Sequence, residues 1–322
     1  MGRAIGCIFV AAALLLGLGC NRSPKPQSSS SGQKLVIGVV PKSVNHLYWK
    51  TVEKGARQGA KETGVEIRWL GPNSEADREG QIRIIGDLAE SCNAICVAPN
   101  DADALIDVIV QTHKKMPVIV FDSGVNTKDY DAFIATDNRR GGEIAGQYML
   151  KLLGDKGGKI AVIRGAAGSQ STTEREEGFL SALRKNPNVK ISEFRGDNET
   201  AASQRVAADE IQKEPDVAGF FGSSELTSIG IMLALQDAHK AGQVKCIGFD
   251  GGPELARGMD QKVIDALVVQ KPVLMGELAV KAAVAACKHE PVEKDQKIEP
   301  QLITQENKDD PKIRELLVPN VK

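Results

Sequence analysis

Two carboxylates carry the first chemical signal in this chain. Asp122 closes the apolar run PVIVFD and Asp250 closes CIGFD, so each stands where a buried strand is about to end. A carboxylate there is costly unless donors reach it, and two of them suit paired hydroxyl groups that donate charge-assisted hydrogen bonds. Both positions also fit helix N-caps, where Asp is favoured. Arg175, in STTEREEGF near a helix start, offers several donors in one rigid fork or else a solvated surface charge. An aromatic pair, Tyr48-Trp49, follows Lys42, Asn45 and His46 in PKSVNHLYW. Aromatic faces beside polar groups suit a ligand with an apolar C–H face and a hydroxylated rim. Neighbouring helical positions diverge by about 100°, so one of the two rings is free to serve the core instead. Ser123 follows Asp122, Ser224 and Glu225 follow GFFGS, and Gln270 ends ALVVQ ahead of Pro272. Each suits a ligand contact, although Ser224 and Glu225 also fit a helix cap and Gln270 a hinge.

Other chemistries lack their residues. No nucleophile–base pair stands out, and the GGP after Asp250 lacks the Lys-Ser/Thr of a phosphate loop. Four His and the Cys92–Cys96 spacing give no zinc pattern. The net charge is -1, with Lys+Arg 41 against Asp+Glu 42, which is no footprint for nucleic acid. Cys96 and Cys246 lie inside apolar strand-like runs and read as small hydrophobes. Cys92 and Cys287 complete the four thiols beyond the N-terminus, which are expected to be mostly buried and free, although export would permit a disulfide.

The elements that must position these residues are legible as an alternation. At 322 residues and 42% apolar, the chain is long enough for about two domains with full cores. Strands are expected at 35–40, 65–70, 94–99 and 118–122, with amphipathic helices between them. The pattern repeats with a helix over 138–153, then strands at 159–165, 189–194, 217–222 and 246–250 with helices between them, and a last strand at 266–270. Alternating strands and helices imply parallel sheets of right-handed βαβ units, and two sets imply two α/β lobes. Ligands of such sheets gather at the carboxyl ends of the strands, where Asp122, Asp250 and Gln270 stand.

The N-terminus sets an expected compartment. Arg3 and the apolar stretch 5–18 form the pattern of an export signal over residues 1–19. Gly17-Leu18-Gly19-Cys20 then resembles a lipoprotein cleavage site, which implies acylation of Cys20. Residues 20–33 are Ser- and Pro-rich, a flexible tether by composition.

From 34 to about 307 the chain resembles the ribose/galactose-type (type 1) periplasmic binding proteins. The resemblance rests on NHLYWKTVEKGA, APNDADAL, PVIVFDS, ATDNRRGGEIAGQYM, EREEGF, VAGFFGSSE, IGFDGGPE and VVQKPVLMG, in family order. It implies two doubly wound parallel-sheet lobes joined by three hinge crossings, near Thr136-Asp137, Gln270-Lys271 and Ile303–Gln305. The first lobe would hold 34–136 and 271–303, the second 137–270 and 304–322. It further implies capture of a monosaccharide by hinge closure, without enzymatic activity, as the binding subunit of an ABC importer. By position, Tyr48 and Trp49 match the ring-stacking place, with Asn45 or His46 as the polar residue before them. Asp122 and Asp250 match the two carboxylates, Arg175 the clamp and Gln270 the hinge amide. Ribose-type members carry Arg at the position of Ser123, and Asn or Asp at that of Ser224. Pro41-Lys42 and the Asp122-Ser123 pair are closer to the branch that binds rhamnose-like sugars or the autoinducer-2 furanose. No metal or organic cofactor is implied. A monomer in the periplasm is expected, lipid-anchored and partnered by a membrane permease. The alternative is a sensory protein that presents its ligand to a membrane receptor.

Overall fold

A computed structural model of the chain describes residues 34–320. The expected signal, Cys20 and the tether lie outside the described residues. The first set of elements runs β1 (Val36–Val40), α1 (Leu47–Thr63), β2 (Glu66–Trp69), α2 (Arg78–Ala89), β3 (Ala94–Val97), α3 (Ile106–His113), β4 (Val118–Phe121) and β5 (Ala132–Thr136). The second runs α4 (Asn138–Leu153), β6 (Gly158–Arg164), α5 (Gln170–Leu183), β7 (Val189–Arg195), α6 (Thr200–Lys213), β8 (Gly219–Gly222), α7 (Glu225–Asp237), β9 (Lys245–Phe249), α8 (Pro253–Asp260) and β10 (Ala266–Val269). The chain closes with α9 (Pro272–Cys287), β11 (Asp295–Ile298), β12 (Gln301–Thr304) and α10 (Pro311–Leu317).

Two six-stranded sheets result, in the orders β2-β1-β3-β4-β5-β11 and β7-β6-β8-β9-β10-β12. Every pairing is parallel except that of β12 with β10. This is the two-lobed α/β architecture that the alternation predicts. The central strands β3, β4, β8 and β10 are buried along their whole length, as sheets covered on both faces require. Edge strand β2 instead alternates exposed and half-buried residues. Each sheet is coated by two apolar clusters, one per face.

Glycines set how closely the covering helices approach. A Cβ on Gly142 of α4 would stand 1.9 Å from the Arg175 carbonyl oxygen of α5, and one on Gly178 of α5 would stand 2.1 Å from the Arg139 carbonyl oxygen. In the other lobe, a Cβ on Gly55 of α1 would lie 1.9 Å from the Val273 carbonyl oxygen of α9. Both pairs of helices therefore pack backbone to backbone.

The chain passes between the sheets after β5, after β10 and after β11. The first two passages lie at Thr136-Asp137 and Gln270-Lys271. The third falls at Glu299-Pro300 and not near Ile303–Gln305. Pairing of Ala266 with Thr304 and of Val269 with Gln301 puts residues 301–304 in the second sheet, so the first lobe's return segment is 271–299. Pro300 has no amide hydrogen with which to continue the β11 ladder, whereas the edge of β10 offers backbone partners to β12.

Candidate functional site

The carboxyl ends of both sheets face one cleft, a cavity of about 400 Å³ counted to its open mouth. Asp122 and Asp250 take φ of 63° and 70° immediately after β4 and β9. Asp is one of the few side chains that tolerates this left-handed region. Neither is a helix cap: α8 is capped at Gly252, and no helix lies between β4 and β5.

A continuous polar chain links the two carboxylates through the hinge. Lys42 Nζ lies 3.3 Å from Asp122 Oδ2, and the Tyr48 hydroxyl donates to Asp122 Oδ1 at 2.6 Å. That hydroxyl is 3.3 Å from Gln270 Oε1, which also accepts from Thr136 Oγ1 at 2.7 Å. Gln270 Nε2 donates to Asp250 Oδ1 at 2.7 Å. Asp250 Oδ2 then stands 3.7 Å from Arg175 Nη1. Arg175 is buried, not a surface charge. Its Nε donates to Asn138 Oδ1 at 2.8 Å, its Nη1 to the Ser223 carbonyl at 3.0 Å, and its guanidinium sits 4.0 Å from the Phe249 ring centre. That stack is a cation–π contact in a desolvated place.

The adjacent aromatics divide their work. Tyr48 and Trp49 stand edge to face, with ring centres 5.0 Å apart and planes at 81°. Trp49 is 2% exposed and packs edge-on to Phe121 in the core, while its indole Nε1 donates to Glu75 Oε1 at 2.9 Å. Ser224 lines the cleft and also caps α7 in a reciprocal box with Thr227, its hydroxyl donating to Asn198 Oδ1 at 3.0 Å. Two candidates are placed off the cleft lining. Asn45 donates to the Asn73 carbonyl at 2.9 Å on the exposed side of its loop, and Ser123 Oγ accepts from the Ser171 amide at 3.1 Å.

Glu225, which the sequence offers as a ligand contact or a cap, lines the cavity, and five residues that the sequence does not single out join it: Glu75, Ser171, Thr172, Asn198 and Leu226. Glu75 and Asn198 come from loops after β2 and β7, where polar composition looks like ordinary turn sequence. Ser171, Thr172 and Leu226 lie in first helical turns, where nothing in the sequence sets them apart. Several of these residues hold the lobes together. Asn198 Nδ2 donates to Glu75 Oε2 at 2.9 Å, Lys42 Nζ to Ser169 and Ser171 Oγ at 3.0 and 2.9 Å, and the Ala102 amide to the Gly168 carbonyl at 2.9 Å. The lobes are in contact across the cleft.

Burial and neighbouring charge move several titrations. Burial would raise Glu75, but His46, Lys42 and the Trp49 indole hold it down at about 2. His46 loses basicity to burial yet ends above its ordinary value because Glu75 binds it, with Nδ1 3.6 Å from Glu75 Oε1. Burial pushes Asp250 up, against Arg175 and the Gln270 amide. Burial pushes Glu225 up to about 7, with Asp250 adding repulsion. The Cys92, Cys96, Cys246 and Cys287 thiols are unpaired, and burial raises all four. Among the described residues no cluster of His, Cys, Asp or Glu is arranged to hold a metal ion.

Comparison with known proteins follows the same outline. A family model described as a periplasmic binding protein domain matches residues 37–291. The ribose import binding protein of Bacillus subtilis (strain 168) is 26% identical over 289 residues, covering 88% of this chain and 92% of its own. The D-allose-binding periplasmic protein of Escherichia coli (strain K12) is 26% identical over 269 residues, covering 80% and 86%. An ABC transporter solute-binding protein from Agrobacterium vitis, solved with bound D-fucose, superposes with a TM-score of 0.84 at 31% identity, covering 88% of this chain and 99% of that one. By name all three are binding proteins, not enzymes. With two parallel sheets opening on one polar cleft and a family match across most of its length, the chain belongs to the periplasmic binding proteins, a family of solute binders.

Proposed function

We propose that this protein is the capture subunit of an ABC importer and that its ligand is a monosaccharide held between the lobes. The observation that carries the reading is the matched pair Asp122 and Asp250, at equivalent strand ends of the two sheets and joined through Tyr48 and Gln270. Acceptors on both lobes give a polyhydroxylated ligand contacts that exist together only when the cleft is closed, so ligand favours closure. The named relatives that import ribose or bind allose and fucose support a sugar of this size. The protein works in the periplasm, held to a membrane by an acylated Cys20 with the following residues as tether. Replacing Cys20 with Ser should release it from the membrane fraction and abolish labelling by a fatty-acid probe. Retention and labelling in that variant would remove the anchor from the proposal.

The primary test is a thermal-shift screen of the soluble chain from Gly32 against aldopentoses, aldohexoses, deoxyhexoses and autoinducer-2. A ligand at about 1,000 times its Kd adds about 4 kcal/mol, which raises Tm by several degrees for lobes of this size. A shift with one sugar identifies the ligand; silence across the panel overturns the sugar reading.

A further inference from the structure

The cleft's carboxylates differ in how much acceptor capacity the protein itself uses. Asp122 accepts from Tyr48 on one oxygen and faces Lys42 with the other. Asp250 accepts from Gln270 on one oxygen and from the Glu225 amide, at 3.0 Å, on the other. Glu75 accepts from Trp49 on one oxygen and from Asn198 on the other. Glu225 differs: its Oε2 is shut off from solvent and has no hydrogen-bond partner. The same inequality appears in the charges. Lys42 pairs with Asp122 at 3.3 Å, Arg175 with Asp250 at 3.7 Å and His46 with Glu75 at 3.6 Å, which leaves Glu225 without a cation of its own.

A buried acceptor with no donor is unfavourable, and its residue, Glu225, lines the cavity at the first turn of α7. We propose that Glu225 is a specificity-determining residue whose free carboxylate oxygen accepts a hydrogen bond from one ligand hydroxyl. The inference rests on the sugar-binding reading above and adds the position at which a hydroxyl is required. The groups facing Glu225 are Asp250 at the end of β9, His46 ahead of α1, Glu254 on α8 and the backbone amide of Tyr48. Because burial and Asp250 lift its titration to about 7, a hydroxyl donor that needs the ionised form binds more weakly below that pH.

The test uses isothermal titration calorimetry of wild type, E225A and E225Q with D-ribose, D-allose, D-arabinose, D-fucose and monodeoxy analogues of the tightest binder, at pH 6 and pH 8. In the wild type one analogue should lose about tenfold or more in affinity, and in E225A that analogue and its parent should bind within about threefold of each other. Wild-type affinity should rise by up to about tenfold from pH 6 to pH 8, while E225Q, which keeps His46, should be flat. Glu225 acting only to hold the lobes together would weaken all ligands alike and leave the parent-to-analogue ratios unchanged in E225A. That result, or an unaltered pH profile in E225Q, overturns the assignment while leaving sugar binding intact. Binding of no monosaccharide by the wild type would instead sink the sugar reading, and this inference with it.

Discussion

Asp122 and Asp250 show why a residue type was readable where its partners were not. Each ends an apolar strand in a left-handed conformation, and an ionisable group after four buried apolar residues announces itself in any sequence. Replacing Asp250 with Ala should weaken ligand binding at least about tenfold while circular dichroism and Tm show a folded protein; wild-type affinity in that variant would take Asp250 out of the site. Glu75 had no such signal, because GPNSEADRE reads as an ordinary polar loop. Its contribution appears only when Trp49, His46 and Asn198 converge on it from other elements. Its folded titration near 2 lies below the ordinary 4.5, so its stabilisation is present above pH 4.5 and lost as pH falls towards 2. The difference corresponds to at most about 3 kcal/mol. In acid titrations followed by Tm, wild type should exceed E75Q at pH 7 and converge with it between pH 4.5 and 2; a constant gap across that range would mean the carboxylate charge is not what stabilises.

At the scale of elements, patterning located the buried strands and amphipathic helices because their periods differ, but gave less at the passages between lobes. Strand β11 is no shorter than β3 or β4 but is largely exposed, so neither alternation nor an unbroken apolar run marks it. The third passage was displaced for the same reason: pairing with β10, not composition, decides which sheet residues 301–304 join. Helix approach was likewise invisible, since a glycine in a helical pattern looks like a weakness until its neighbour is known. Gly142 lets α4 lie against the backbone of α5 at Arg175. Changing Gly142 to Leu should therefore lower stability by about 1–3 kcal/mol or more. It should also weaken ligand binding, because the helix it displaces carries the clamp. A variant with lower Tm but unchanged affinity would uncouple α5 placement from the site.

For the whole molecule, closure depends on bonds that span the cleft. Asn198 joins Glu75 of one lobe while accepting from Ser224 of its own. Removing its side chain costs a hydrogen bond to a carboxylate, about 1.5–3 kcal/mol, and that loss falls on the closed form alone. N198A should accordingly show a larger radius of gyration by small-angle scattering and about tenfold weaker binding. Equal radii would mean that the remaining bridges suffice. The three passages between lobes have a further consequence, for the order in which the chain acquires structure. Met275, Ala279, Val280, Ala283 and Val284 of α9 belong to the same apolar cluster as Trp49, Val52 and Ala56 of α1. The lobe begun first in sequence thus waits for a segment synthesised after the other lobe's strands β6 to β10. An emerging chain cannot complete that core until residues beyond 284 are available. Such long-range dependence slows folding, and delayed folding keeps a chain threadable through an export channel.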